Sequence, residues 1–220
     1  MEKIITCQKA ISNIKSGDTV MVGGFGLVGC PLQLVESVEE TDIKNLTVIS
    51  NNLGEPGSGL GKWVIQKRVK KGVGSFFTSN PDVVKAYQDK ELEIELVPQG
   101  TLAESIRAGG AGIGGFYVKT SVGTKLAEDL EVKEIKGTPH VFRESFTADV
   151  ALIKAHKSDR LGNLVYTKSA RNFNPVMATA AKYVVAEVDE IVEIDELSPE
   201  EIVTPHLFVD AIVCPGGENK

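Results

Sequence analysis

Short apolar runs alternate with amphipathic stretches along this chain, and nearly every junction is marked by Gly, Pro, Asn or Ser. That alternation predicts an α/β fold built on an open, largely parallel sheet with flanking helices. Thr6 is placed to cap a helix over 7–15, Gly17-Asp18 ends it, and Thr19-Val20-Met21-Val22 reads as a buried strand opening into Gly23-Gly24. Pro31 starts a second helix to Glu40, because proline suits a first helical position. Leu46 to Ser50 forms the next strand, which empties into a polar loop from Asn51 to Gly59. There follow a helix near 60–70, a strand over 73–77, a helix opened by Ser79-Asn80-Pro81-Asp82 and reaching Lys90, a strand over 92–97 and a helix from about Thr101 to Ala108.

Beyond the glycine run 109–115 the pattern changes to strands near 130–135, 139–143, 148–154 and 161–166, with a hairpin turn at Asp159-Arg160-Leu161-Gly162-Asn163. A helix over 174–181 and strands over 182–188 and 207–213 complete the chain. No repeat, low-complexity segment or linker divides it, so residues 1–220 are expected to form one domain.

Composition narrows the function classes. With 42% hydrophobic and 25% charged residues the chain is neither disordered nor fibrous. Its 24 Lys+Arg against 30 Asp+Glu are scattered and sum to -6, which argues against nucleic acid as a partner. No apolar run approaches the roughly eighteen residues of a membrane span, and no lipidation motif is present. Cys7, Cys30 and Cys214 have no CxxC spacing, and His140, His156 and His206 stand apart. No disulfide framework or metal site is therefore expected, and the reading is a reduced, cytoplasmic protein.

Candidate chemistry starts at Gly24-Phe25-Gly26-Leu27-Val28-Gly29, a G-x-G-x-x-G between a strand and a helix, where amides at the helix start are expected to receive a pyrophosphate. A dinucleotide site also wants an acid at the end of the next strand, and this chain has Asn51 and Asn52 there. That pair falls where open α/β sheets place ligands, and Gln99 occupies a similar strand-to-helix junction. Other motifs fail on spacing: Gly61-Lys62 is no P-loop, and Gly57-Ser58-Gly59 is no nucleophile elbow. Glu55 reads as a solvated turn residue, His156 as a strand-end surface residue, and Lys67-Arg68-Val69-Lys70-Lys71 as the solvated end of a helix. No convincing nucleophile or acid/base pair emerges.

The combination of a strand, Gly23-Gly24-Phe25, Gly29 and Pro31 is similar to the signature of the A (alpha) subunit of family I, or 3-oxoacid, CoA-transferases. The likeness continues in order through Val97-Pro98-Gln99-Gly100-Thr101-Leu102, Arg107-Ala108-Gly109-Gly110-Ala111-Gly112, Val122-Gly123-Thr124, Ala148-Asp149-Val150-Ala151-Leu152-Ile153 and Ala170-Arg171-Asn172-Phe173-Asn174-Pro175. The resemblance implies the CoA-transferase (NagB/RpiA-like) fold and a homologous B (beta) subunit, in a heterodimer or heterotetramer with the active site between the two. It implies CoA, or acyl-CoA, as substrate rather than as a tightly bound cofactor. The nucleophile of that family is a glutamate in a Ser-Glu-Asn-Gly motif of the B subunit. This chain has only Glu218-Asn219 followed by Lys220, so none of its own residues is expected to be catalytic.

By the same resemblance, Gly23, Gly24, Phe25, Gly26, Leu27, Val28 and Gly29 form a CoA-contact loop. Asn51, Asn52 and Gln99 lie near the acyl or carboxylate substrate, and the glycine run with Gly112 and Gly114 lines the same cleft. The activity implied is transfer of CoA between a short-chain acyl-CoA (succinyl-, acetyl- or butyryl-CoA) and acetoacetate or a similar carboxylic acid. The rivals are a component of a 3-oxoadipate CoA-transferase and a non-catalytic nucleotide- or sugar-phosphate-binding module.

Overall fold

The computed structural model describes residues 3–216. The first half of the chain runs α1 (Cys7–Ile11), β1 (Thr19–Val22), α2 (Leu32–Glu39), β2 (Leu46–Ile49), α3 (Leu60–Ile65), β3 (Val69–Gly74), α4 (Pro81–Gln88), β4 (Glu93–Leu96), α5 (Gln99–Gly110) and β5 (Gly115–Val118). The second half holds β6 (Val132–Ile135), β7 (Thr138–Glu144), β8 (Ala148–Asp159), β9 (Leu164–Val165), α6 (Asn174–Ala178), β10 (Ala181–Val192) and β11 (Ala211–Val213). The main sheet has the order β11-β10-β8-β1-β2-β3-β4, parallel throughout, with β9 added antiparallel to β8. A separate antiparallel sheet has the order β5-β7-β6.

The central strand β1 is apolar on both faces because both of its faces are covered. Val20 and Val22 of β1 pack with Leu34 and Val35 of α2, Trp63 of α3 and Val83 of α4. Met21, one residue out of phase, packs on the other side with Leu102 and Ile106 of α5 and Met177 of α6. Trp63 is fully buried and still satisfied, because its indole N–H donates to the Val35 carbonyl at 3.0 Å.

Local signals hold at several boundaries. The Thr6 hydroxyl accepts from the Lys9 amide, the Asn80 side chain accepts from the Asp82 amide, and Pro81 opens α4. Asp159 closes the β8–β9 hairpin by accepting the amides of Leu161, Gly162 and Asn163 at 2.9–3.0 Å. The expected helix over 7–15 stops at Ile11, and Pro31 sits at the N-cap rather than inside α2.

The helix expected over 174–181 ends at Ala178 and the strand expected over 207–213 begins at Ala211, but the largest departure lies between α3 and β3. The helix near 60–70 ends at Ile65, and β3 begins at Val69 rather than at 73. The basic run is therefore not a solvated helix end. Arg68 is buried, and its guanidinium donates to the carbonyls of Glu39 at 2.5 Å, Thr41 at 2.6 Å and Ile43 at 3.0 Å. It satisfies orphan acceptors at and just beyond the C-terminus of α2, which is what allows a cation to be buried there. Lys71 lies in β3 and pairs with Glu95 of β4 at 2.6 Å. His156, likewise, sits inside β8 rather than at its end, against Asp189 of β10 at 3.2 Å.

Candidate functional site

The loop after β1 is a tight hairpin. The Phe25 amide donates to the Val28 carbonyl at 3.0 Å, and the Val28 amide returns to Phe25 at 3.2 Å. Its two ends are held by residues far away in sequence. Asn172 accepts the Gly24 amide at 3.1 Å and donates to the Val28 carbonyl at 2.9 Å. Asn174 donates to the Gly29 and Ala170 carbonyls and accepts the Lys154 amide at 2.9 Å. These approaches demand glycine: a Cβ on Gly23 would stand 1.8 Å from Asn174 Oδ1, and one on Gly29, at φ +72, 2.5 Å from the Ala170 carbonyl. Phe25 and Val28 are left more than half exposed at the hairpin tip.

The expected pyrophosphate seat at the start of α2 is already taken. The carboxylate of Glu187, on β10, accepts the amides of Gln33 at 2.9 Å and Leu34 at 3.0 Å. Its other oxygen meets Lys154 Nζ at 3.3 Å, and that lysine also pairs with Asp189 at 2.6 Å. A carboxylate is the chemical equivalent of the anion that a helix N-terminus attracts, so the macrodipole is answered from inside the protein. Burial raises the Glu187 pKa above its ordinary value, against the pull of the Leu34 amide and of Lys154. Burial also works to lower the Lys154 pKa, but Asp189 and Glu187 outweigh it and leave the pKa raised.

An open cleft of about 650 Å³ lies at the carboxyl ends of β1 to β4. At its base Asn51, which is buried, donates from Nδ2 to Gln99 Oε1 at 2.8 Å and to Ser75 Oγ at 3.0 Å. The Ser75 hydroxyl also donates to Gln99 Oε1. The hydroxyl of Ser50 bonds the Asn52 carbonyl, and Asn52 accepts the Gly54 amide at 3.1 Å, so Asn52 forms the turn that aims the next loop. Phe25 and Gly26 face the cleft from one side and Phe76 from another, and Glu55 sits at its edge. That loop repeats the first: Glu55 and Ser58 bridge as Phe25 and Val28 do.

Asn51, Asn52, Gln99, Phe25 and Gly26 are thus brought together around one cleft, while Gly23 and Gly29 anchor the loop behind it. Gly112 and Gly114 do not line it. They follow the C-terminus of α5, whose first residue is Gln99, and a helix of that length is roughly 18 Å long. Gly109 and Gly110 belong to its last turn, packed on Phe146 and Thr179. Ser75 escaped the sequence reading because a strand drawn over 73–77 puts it in mid-strand. With β3 ending at Gly74, it occupies the same first position past a strand that Asn51 nearly holds after β2. Glu55 is exposed as a turn residue and also borders the cleft.

Cys30 offers no nucleophile beside the cleft. Cys30, next to the glycine loop, is buried, and burial pushes its thiol up to about 12, far from the thiolate that would react. Among the described residues, no three His, Cys, Asp or Glu side chains gather as a metal site, and no helix is long and apolar enough to cross a membrane. Glu218-Asn219 lies outside the described residues.

A parallel α/β sheet with neutral amides gathered at its carboxyl edge defines a site suited to carboxylates and oxyanions. Residues 4–215 match the coenzyme A transferase family. The A subunit of the succinyl-CoA:3-ketoacid coenzyme A transferase of Helicobacter pylori J99 is 47% identical over 213 residues, covering 96% of this chain and 92% of its own. The alpha subunit of the acetate CoA-transferase of Escherichia coli K12 is 43% identical over 211 residues, 96% of each chain. An acyl-CoA transferase of E. coli O157:H7, solved as a thioester complex with CoA, superposes with a TM-score of 0.85 over 99% of this chain at 18% identity. That last likeness bears on fold alone, and this chain spans about half of that protein, 48%. This chain belongs to the coenzyme A transferase family. It is part of an enzyme, which sets aside the non-catalytic module.

Proposed function

We propose that the chain is the A subunit of a cytoplasmic, heteromeric CoA-transferase that moves CoA between a short-chain acyl-CoA and acetoacetate or a similar carboxylic acid. A homologous B subunit supplies the nucleophilic glutamate and closes the cleft from the other side. The observation that carries this reading is the Asn51–Ser75–Gln99 cluster: neutral donors held in place, with no nucleophile among them.

The reaction proceeds by two exchanges on the partner's glutamate. Its carboxylate attacks the thioester carbonyl, CoA thiolate leaves, and an acyl-glutamyl anhydride forms. The thiolate then attacks the glutamyl carbonyl, the first acid departs as a carboxylate, and a glutamyl-CoA thioester remains. The acceptor acid reverses these steps and leaves with CoA. Each exchange passes through a tetrahedral oxyanion, which Gln99 stabilises by donating a hydrogen bond without moving a proton, while Asn51, whose two Nδ2 hydrogens go to Gln99 and Ser75, holds Gln99 in place. The Gly23–Gly29 loop contacts CoA through its exposed hairpin tip, since the helix start behind it is filled by Glu187.

The test is reconstitution. Isolated chain is expected to be inactive and to gain transferase activity on addition of its B partner. After incubation with acyl-CoA and borohydride reduction, peptide mapping is expected to find the reduced glutamate on the partner. Activity from the isolated chain, or a reduced glutamate at Glu55, would place the chemistry on this chain instead.

A further inference from the structure

An amide side chain has two unlike ends, an oxygen that accepts and a nitrogen that donates, and the partners of one end decide what the other presents. Gln99 lies at the first position of α5, and its side chain is exposed to the cleft. Two donors converge on its oxygen, Asn51 Nδ2 and the Ser75 hydroxyl. Ser75 is itself fixed on both sides. Its Oγ accepts from Asn51 Nδ2 at 3.0 Å, and its own amide donates to the Asn51 carbonyl at 3.0 Å, tying the end of β3 to the end of β2. The hydroxyl has a single proton and two acceptors in reach, the Asn51 carbonyl at 3.2 Å and Gln99 Oε1, which lies much closer and takes it.

We infer that Ser75 is a positioning residue for CoA transfer: by engaging Gln99 Oε1 together with Asn51, it turns the Gln99 amide so that the Nε2 hydrogens point at the reacting carbonyl. This rests on the transferase reading above. Ser75 does not touch the reacting atoms; it acts through Gln99. With one of the two donors removed, Gln99 keeps its place but loses its preference for the donating orientation, and part of the oxyanion stabilisation goes with it.

A double-mutant cycle on the reconstituted heteromeric enzyme tests this. Turnover by wild type with an acyl-CoA and an acceptor acid establishes the underlying reading; absence of any turnover overturns both. Ser75→Ala is expected to lower kcat about tenfold, with the KM for acyl-CoA changed less than about threefold, and Ser75→Thr, which keeps the hydroxyl, to recover most of the loss. In a Gln99→Ala background the Ser75→Ala change is expected to cost less than about threefold, because its target is gone. Gln99→Glu, which keeps an oxygen for Asn51 and Ser75 but offers the cleft an acceptor, is expected to lose at least about a hundredfold. An equal loss from Ser75→Ala in both backgrounds would mark a structural role, and an undiminished kcat in the single variant would mark no role; either overturns the inference. So would Gln99→Glu retaining turnover within about tenfold of wild type.

Discussion

Replacing Glu187 with alanine strips two amides of their acceptor and leaves the start of α2 with an unanswered dipole. The Gln33 and Leu34 amides sit 2.9 and 3.0 Å from the carboxylate, and the Leu34 bond is buried. A buried donor left without a partner costs about 1–3 kcal/mol, and the Gln33 amide, only partly buried, recovers some of its share from water. Lys154 is not orphaned, because Asp189 holds it at 2.6 Å, so the roughly 3–5 kcal/mol typical of a broken buried ion pair does not apply. The expected loss is about 3 kcal/mol, read as a lower urea midpoint at unchanged slope. The exposed amides also become an anion site. Sulfate is expected to stabilise the variant more than wild type, by about 1 kcal/mol at a concentration a few times its dissociation constant, over the general salting effect seen in both. A loss under about 1 kcal/mol, or an equal response to sulfate, would refute the idea that Glu187 is what the helix start binds.

Glu187→Gln tests the titration. The native carboxyl has a pKa above its ordinary 4.5, so the stability linked to its protonation, over and above its bonds to the two amides, is fully present below pH 4.5 and is lost as pH rises through the raised value. Glutamine cannot titrate, and the stability of wild type relative to the variant is therefore expected to fall as pH rises above the ordinary 4.5; urea unfolding across that rise checks it, and a relative stability that increases refutes it. Gly23→Ala drives a methyl into Asn174 Oδ1 and breaks the ties from Asn174 to Gly29 and Lys154, with an expected cost of about 3 kcal/mol measured by thermal or urea unfolding. Gln99→Ala is expected to lower kcat/KM of the reconstituted enzyme by roughly 30- to 1000-fold, equivalent to about 2–4 kcal/mol of transition-state stabilisation, while urea unfolding changes little.

What the sequence determined by itself is the local grammar. Thr19–Val22 is a strand residue for residue, Thr6 and Asn80 cap the helices they precede, and Asp159 closes its hairpin, because each depends on neighbours within a few positions. Asn51 and Gln99 were legible for the same reason: strand ends can be read locally, and amides there stand out. The tertiary structure decided what those residues meet. Arg68 reads as solvated in the sequence, but the carbonyls at the end of α2 bury it, and β3, starting just after it, ends at Gly74 and leaves Ser75 at a strand end. The glycine loop read as an anion seat, but the acceptor that fills the helix start arrives from Glu187, 153 residues along the chain from Leu34. Periodicity and capping are written over a few residues and survive in isolation. Which buried donor finds which acceptor is settled only when distant segments pack, since the cost of leaving either one unpaired arises only once water is excluded.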